Sequence, residues 1–144
     1  MTENQPRRSI SRSVLALLAG FVVVVILSLG TDFALHASGV FPSLGQRMPD
    51  GLFALATIYR TVYGIIGSYI TARLAPNRPM GHAMVGGFIG LALSLVGAIV
   101  TWNRGPEFGP HWYPIALVVL ALPTAWLGGF LRIRQLVGSS VPAK

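Results

Sequence analysis

Three titratable side chains stand where an otherwise apolar sequence has least reason to carry them. Asp32 and His36 follow the run that begins at Val14, and Arg60 interrupts GLFALATIYRTVYGIIGSYITA, residues 51–72. A guanidinium and a carboxylate within reach of each other inside a membrane can bind an anion, relay a proton or gate a path. They can also do no more than lock two helices together as a buried ion pair. Ser28, Asp32 and His36 recur every four residues and so share one helix face. Tyr63 lies one turn beyond Arg60, and Tyr59 and Tyr69 belong to the same run. A second polar set sits in TWNRGPEFGPHWYP, residues 101–114, where Arg104, Glu107 and His111 are interleaved with Pro106, Pro110, Pro114, Gly105 and Gly109. Prolines and glycines at that density make tight turns, and a merely connecting loop needs no such constraint. An ordered cap over the Asp32 and Arg60 region is expected. The candidate ligand-binding or structural cluster is therefore Asp32, His36, Arg60, Tyr63, Arg104, Glu107 and His111.

No residue is assigned a catalytic role. The chain has no HExxH, no Walker glycine loop, no GxSxG and no EF-hand loop. It has no cysteine, which removes thiolate metal sites, disulfides and thiol redox chemistry. His36, His82 and His111 share neither a face nor a side, so no metal and no cofactor is expected. An ordinary enzyme is not expected either.

The elements that must position these residues are apolar blocks. Of 144 residues 53% are hydrophobic and only 10% are charged. A soluble domain averages about 25% charged. Four runs, about residues 14–34, 51–72, 82–102 and 113–131, have the ~20-residue length that a hydrocarbon core of ~30 Å requires. The expected fold is all-α: an integral membrane antiparallel four-helix bundle over residues 13–134. A basic segment, residues 1–12, precedes it and a flexible tail, residues 135–144, follows it. The first run is longer than the apolar stretch of a cleaved leader, and no pair of small residues stands at cleavage spacing after it.

The net charge of +7 does not point to nucleic acid, because the basic residues flank apolar runs and form no stripe. Arg7, Arg8, Arg12, Arg73, Arg78, Arg132, Arg134 and Lys144 fall on one side, and only Arg47 and Arg104 on the other. The positive-inside rule then puts both termini in the cytoplasm. On that orientation Arg60 lies about 13 Å below the outer surface, near the bilayer middle. An arginine there costs roughly 2.5–3.5 kcal/mol on insertion scales and calls for a partner. Side chains lean toward the N-terminus of their own helix, so Arg60 leans outward and Asp32 inward. An Arg60–Asp32 pair with His36 nearby is expected.

Small residues at helical spacing predict close helix contacts: Ala83, Gly86, Gly90, Ser94, Gly97 and Thr101 in the third run, Gly64, Gly67, Ser68 and Thr71 in the second, and Ala121, Ala125, Gly128 and Gly129 in the fourth. Pro123 predicts a bend in the fourth run.

The stretch YRTVYGIIGSYITARLAPNRPMGHA, with TWNRGPEFGPHWYP and ALPTAWLGG, resembles a group of small bacterial four-helix membrane proteins of uncharacterised activity. The resemblance covers roughly residues 14–131. It implies a bacterial inner-membrane location and transfers no activity, cofactor or catalytic residue. The cysteines of quinone-linked thiol enzymes are missing, as are the internal repeats and intramembrane Glu of small multidrug transporters. The expected role is a non-catalytic accessory or interaction subunit, in contact with lipid and with a membrane protein partner or copies of itself. The alternative is a solute, ion or proton transport component, oligomeric and centred on Arg60 and Asp32. A small enzyme acting on a lipid or quinone at the outer face is a third reading.

Overall fold

The computed structural model describes residues 5–139. Four helices account for nearly all of them: α1 (Gln5–Ala37), α2 (Asp50–Leu74), α3 (Pro79–Thr101) and α4 (Trp112–Ser139), with a short 3₁₀ turn at Pro106–Phe108. No strand occurs among the described residues. The helices overrun the apolar runs at both ends of the chain. The basic N-terminal segment is helical from Gln5, and α4 continues through Arg132 and Gln135 to Ser139. The tail was expected to begin at 135; its first five residues are helical, and residues 140–144 lie outside the described residues, as do 1–4. The α4 extension is held by polar contacts. Gln135 accepts from Tyr69 at 2.8 Å and from Arg132 at 2.7 Å, and the Arg134 guanidinium lies 5.2 Å over the Phe130 ring.

Side-chain contacts give the direction of each helix. Residues early in α1 meet residues late in α2, as Gly20 meets Gly67 and Thr71, while Asp32 meets Arg60. Ala83 at the start of α3 meets Gly129 near the end of α4. Successive helices therefore run in opposite directions, α1 parallel to α3 and α2 parallel to α4. The described ends of α1 and α4 share one end of the bundle. There Ser13 and His82 Nε2 are hydrogen-bonded at 2.9 Å.

Three helical segments are long and apolar enough to cross a bilayer: Ile10–Ala37, Pro79–Thr101 and Pro106–Ser139. The second run, expected to be a span of the same kind, is not among them. Arg60 and the hydroxyls of Thr57, Tyr59, Thr61, Tyr63, Ser68, Tyr69 and Thr71 dilute its apolar character. α2 is also the helix that the others surround, packed on both α1 and α4.

The bundle is apolar outside and small-residue inside. Among the described residues no large side chain is fully buried, whereas Phe33, Ile99 and Val119 are 77%, 75% and 64% exposed. A water-soluble bundle does the reverse, because burial of large apolar groups is its main source of stability. Helices that associate in lipid gain nothing from burying leucine and draw instead on close backbone contact. The contact points are where glycine spacing is used. A Cβ on Gly128 would lie 2.6 Å from the Ile65 carbonyl oxygen, and one on Gly67 would lie 2.8 Å from that of Gly20. In α3 the contact face is rotated by one residue from the expected stripe. Ala83 and Gly87 press on Gly129 and Ala125 of α4, while Gly90 and Gly97 meet nothing within 4 Å. The α4 backbone continues as helix through Pro123.

Candidate functional site

The polar site is built where α1 and α2 face each other. Arg60 Nη2 donates to Asp32 Oδ2 at 2.6 Å. The neighbouring residue, Tyr59, donates its hydroxyl to the other carboxylate oxygen, Oδ1. One carboxylate thus binds two consecutive residues of α2, which is feasible because their long side chains converge from positions ~100° apart on the helix. Tyr59 was not among the candidates, although it adjoins Arg60 in sequence. A two-oxygen acceptor beside an arginine leaves room for a second donor, and that was the signal available. One turn on, Tyr63 bonds Thr31 at 2.8 Å and not Asp32. The Tyr59 and Tyr63 rings lie 5.7 Å apart.

The remaining candidates are placed elsewhere. His36 Nδ1 lies 2.8 Å from the Pro42 carbonyl oxygen, and its ring meets Phe41 edge-on at 5.3 Å. It fastens the α1–α2 loop and does not join the ion pair. His111 stacks on Trp102 with the rings 4.4 Å apart and 7° from parallel, and its Nε2 lies 3.0 Å from the Trp102 carbonyl oxygen. The Arg104 guanidinium lies 5.9 Å over the Phe108 ring. Glu107 sits in the 3₁₀ turn with its carboxylate folded over Gly105. These contacts order the α3–α4 loop internally, helped by Gly109 at φ 95°, a value glycine tolerates best. Among the described residues, no hydrogen bond or ion pair links Arg104, Glu107 or His111 to Asp32 or Arg60. Their functional atoms are spent locally because a loop this rich in proline and glycine turns back on itself within a few residues.

On the loop side, the site is closed by an aromatic plug. Phe41, Ala56 and Tyr59 are buried, with Leu35, Met48, Leu52, Tyr63 and Tyr113 packed around them. Phe41 comes from the α1–α2 loop, which folds back so that its N–H bonds the Leu35 carbonyl at 2.9 Å. On the other side of the ion pair lies a cavity of about 510 Å³, reached between α1 and α3. Arg60 forms part of its wall, together with Ser28, Thr61 and Thr124. Small residues make the floor: Gly64, Gly67 and Thr71 of α2, and Gly86, Gly90 and Ser94 of α3. The rim is apolar and open, with Phe21 of α1 49% exposed and Leu93 of α3 52% exposed. This cleft was not foreseen from sequence, since it exists only because α1 and α3 touch near the Ser13 and His82 end and part beyond it.

Chemically, the site can hold and orient a molecule. Among the described residues its one titratable wall group, Arg60, is already paired, and no nucleophile with an adjacent base opens into the cleft. Neither a family model, nor a curated protein, nor a solved structure matches this chain.

Proposed function

We propose that this chain is an integral protein of a bacterial inner membrane, with all four helices crossing and both termini cytoplasmic, and that it serves as a non-catalytic accessory subunit that binds within the plane of the membrane. The observation that carries the reading is the cleft between α1 and α3, open sideways through an apolar rim and closed at the loop end by the Phe41 and Tyr59 plug. A lateral opening serves something that arrives from lipid. Three sufficiently apolar helices and an apolar exterior support the membrane setting. α2 crosses with them because Asp32 neutralises its one central charge. Gly97, which meets nothing within 4 Å and lies outside the cleft lining, offers close backbone approach to a partner helix.

The transport alternative draws on the same cleft, whose wall carries Arg60 and a series of hydroxyls. Against it stands the plug, which interrupts any polar path at the level of Tyr59.

Two measurements test this. The chain has no cysteine, so single cysteines can be introduced without background. A cysteine at Glu107 is expected to react with a membrane-impermeant maleimide added outside intact spheroplasts, and one at Ser139 only after lysis. The opposite pattern, or equal labelling of both, defeats the orientation. Native mass spectrometry of a tagged copy, gently extracted from its own membrane, is expected to show it bound to a second protein in fixed ratio. A lone chain, or a homo-oligomer alone, removes the accessory reading and moves the transport alternative ahead.

A further inference from the structure

We infer that the cleft is a binding site for an uncharged lipid with a carbonyl at its end, of the membrane quinone class, whose carbonyl oxygen accepts a hydrogen bond from Arg60. The inference deepens the proposed role and rests on its membrane setting.

Size comes first. The cavity, about 510 Å³, falls within the ~300–1,000 Å³ of small-molecule sites. It is lined chiefly by apolar and small side chains, with hydroxyls spaced along it and one charged group, Arg60, the usual pattern for a ligand with a greasy body fixed by a few polar contacts.

The guanidinium sets the polar end. Arg60 bonds Asp32 through Nη2 and its Nε is buried out of reach of the cleft, so the N–H groups that can meet a ligand are those of the Nη atoms. Its side chain is 34% exposed, and it belongs to the wall of the cleft. A donor left without an acceptor in a low-dielectric setting is costly, so an acceptor arriving from the cleft is favoured.

Charge then selects the class of acceptor. Asp32 already cancels the charge of Arg60. A carboxylate or phosphate would make the site net negative with little water to compensate. A neutral carbonyl adds an acceptor and leaves the balance unchanged.

Depth narrows it again. Arg60 stands ten residues into α2, about 15 Å from its start, so on the proposed topology it lies near the bilayer middle. The ester carbonyls of phospholipids are tethered to charged headgroups at the interface and do not reach that level without dragging the headgroup in. A quinone has no charged headgroup, and its ring oxygen can sit at mid-depth. Its tail would lie against the apolar lining of the cleft, Leu17 and Phe21 of α1 and Leu93 of α3.

The test uses the full chain in nanodiscs of phosphatidylethanolamine and phosphatidylglycerol. The probes are a short-chain alkyl-benzoquinone and an alkylbenzene of equal chain length, with binding measured by equilibrium dialysis. The expected result is saturable binding of one quinone per chain, about tenfold or more tighter than the alkylbenzene, the scale of one hydrogen bond to a charged group. Gly90→Leu is the key variant, because a Cβ there meets nothing within 4 Å, so the side chain fills the cleft without disturbing a helix contact. It is expected to abolish binding and keep the wild-type melting temperature. Arg60→Met combined with Asp32→Leu, which removes the donor without stranding a charge, is expected to bring the quinone and alkylbenzene affinities together. Equal affinity of the wild-type chain for both probes, absence of saturable binding, or undiminished binding to Gly90→Leu each overturns the inference. The protein partner is sought separately, in membrane extract without added quinone, so the accessory reading and this one stand or fall independently.

Discussion

Arg60→Ala and Asp32→Ala are each expected to cut the yield of folded, monodisperse protein severely, and the double variant to lose no more than either alone. Removing one partner of this half-buried ion pair strands the other, at up to about 3–5 kcal/mol, the cost for a fully buried pair. A small membrane domain with a total stability of roughly 5–15 kcal/mol feels that strongly. The pair is held by a 2.6 Å contact, with Asp32 also accepting from Tyr59, so the loss of Arg60 leaves a carboxylate with a neutral donor only. The loss of Asp32 leaves a cation inside the bundle. With both gone neither charge is stranded, and the two single losses must not add. The measurement is a double-mutant cycle on unfolding in sodium dodecyl sulfate, where a coupling energy of the size of either single loss is expected. Additive losses would show that the two groups are independently solvated and that the contact carries no energy.

The second large effect concerns shape. Gly128→Leu is expected to prevent stable assembly of α2 against α4, whereas Gly97→Leu leaves the melting temperature within a few degrees of wild type. At Gly128 a Cβ would lie 2.6 Å from the Ile65 carbonyl oxygen and 2.7 Å from the Tyr69 nitrogen. These are backbone atoms that cannot swing aside, so the helices must separate. Overpacking of ordinary side chains costs about 1–3 kcal/mol, and a backbone obstacle places this substitution at or beyond the top of that range. At Gly97 nothing lies within 4 Å. Thermal unfolding followed by size-exclusion chromatography separates the two cases. Equal tolerance at both positions would mean that the α2–α4 approach is not what holds the bundle.

Much of this architecture is legible in the sequence, for reasons that vary by element. Helix positions follow from apolar run length, and α2 and α3 start and end within three residues of the runs that announce them. α1 and α4 extend further because arginine and glutamine continue a helix readily once it leaves the apolar stretch, and run length does not register them. The direction of each side chain along its helix points Arg60 and Asp32 toward each other. It says nothing about Tyr59, whose share in the carboxylate depends on how far α2 is rotated about its own axis. The corresponding rotation of α3 decides that Gly87, not Gly86 or Gly90, presses on α4. The cap residues could be located but not aimed. Their composition shows an ordered loop, and only the fold shows that His111 turns to Trp102 and Arg104 to Phe108. The cleft is the least legible feature, because it is a property of the space between two helices and no residue encodes it alone.

The spacing of the ion pair bears on how the chain is made. Asp32 precedes Arg60 by 28 residues, so synthesis from the N-terminus delivers the carboxylate first. α1 contains the most apolar of the three segments long and apolar enough to cross a bilayer, with a mean hydropathy of 2.7, and in the proposed membrane setting it partitions into lipid unaided. On the proposed topology α2 follows with an arginine whose transfer costs roughly 2.5–3.5 kcal/mol and finds its counter-ion already embedded. The order of the helices is thus part of the folding information. The same four helices joined in an order that releases α2 first would reach the same contacts on paper, yet each new chain would have to hold an unpaired cation at the membrane until its partner was made.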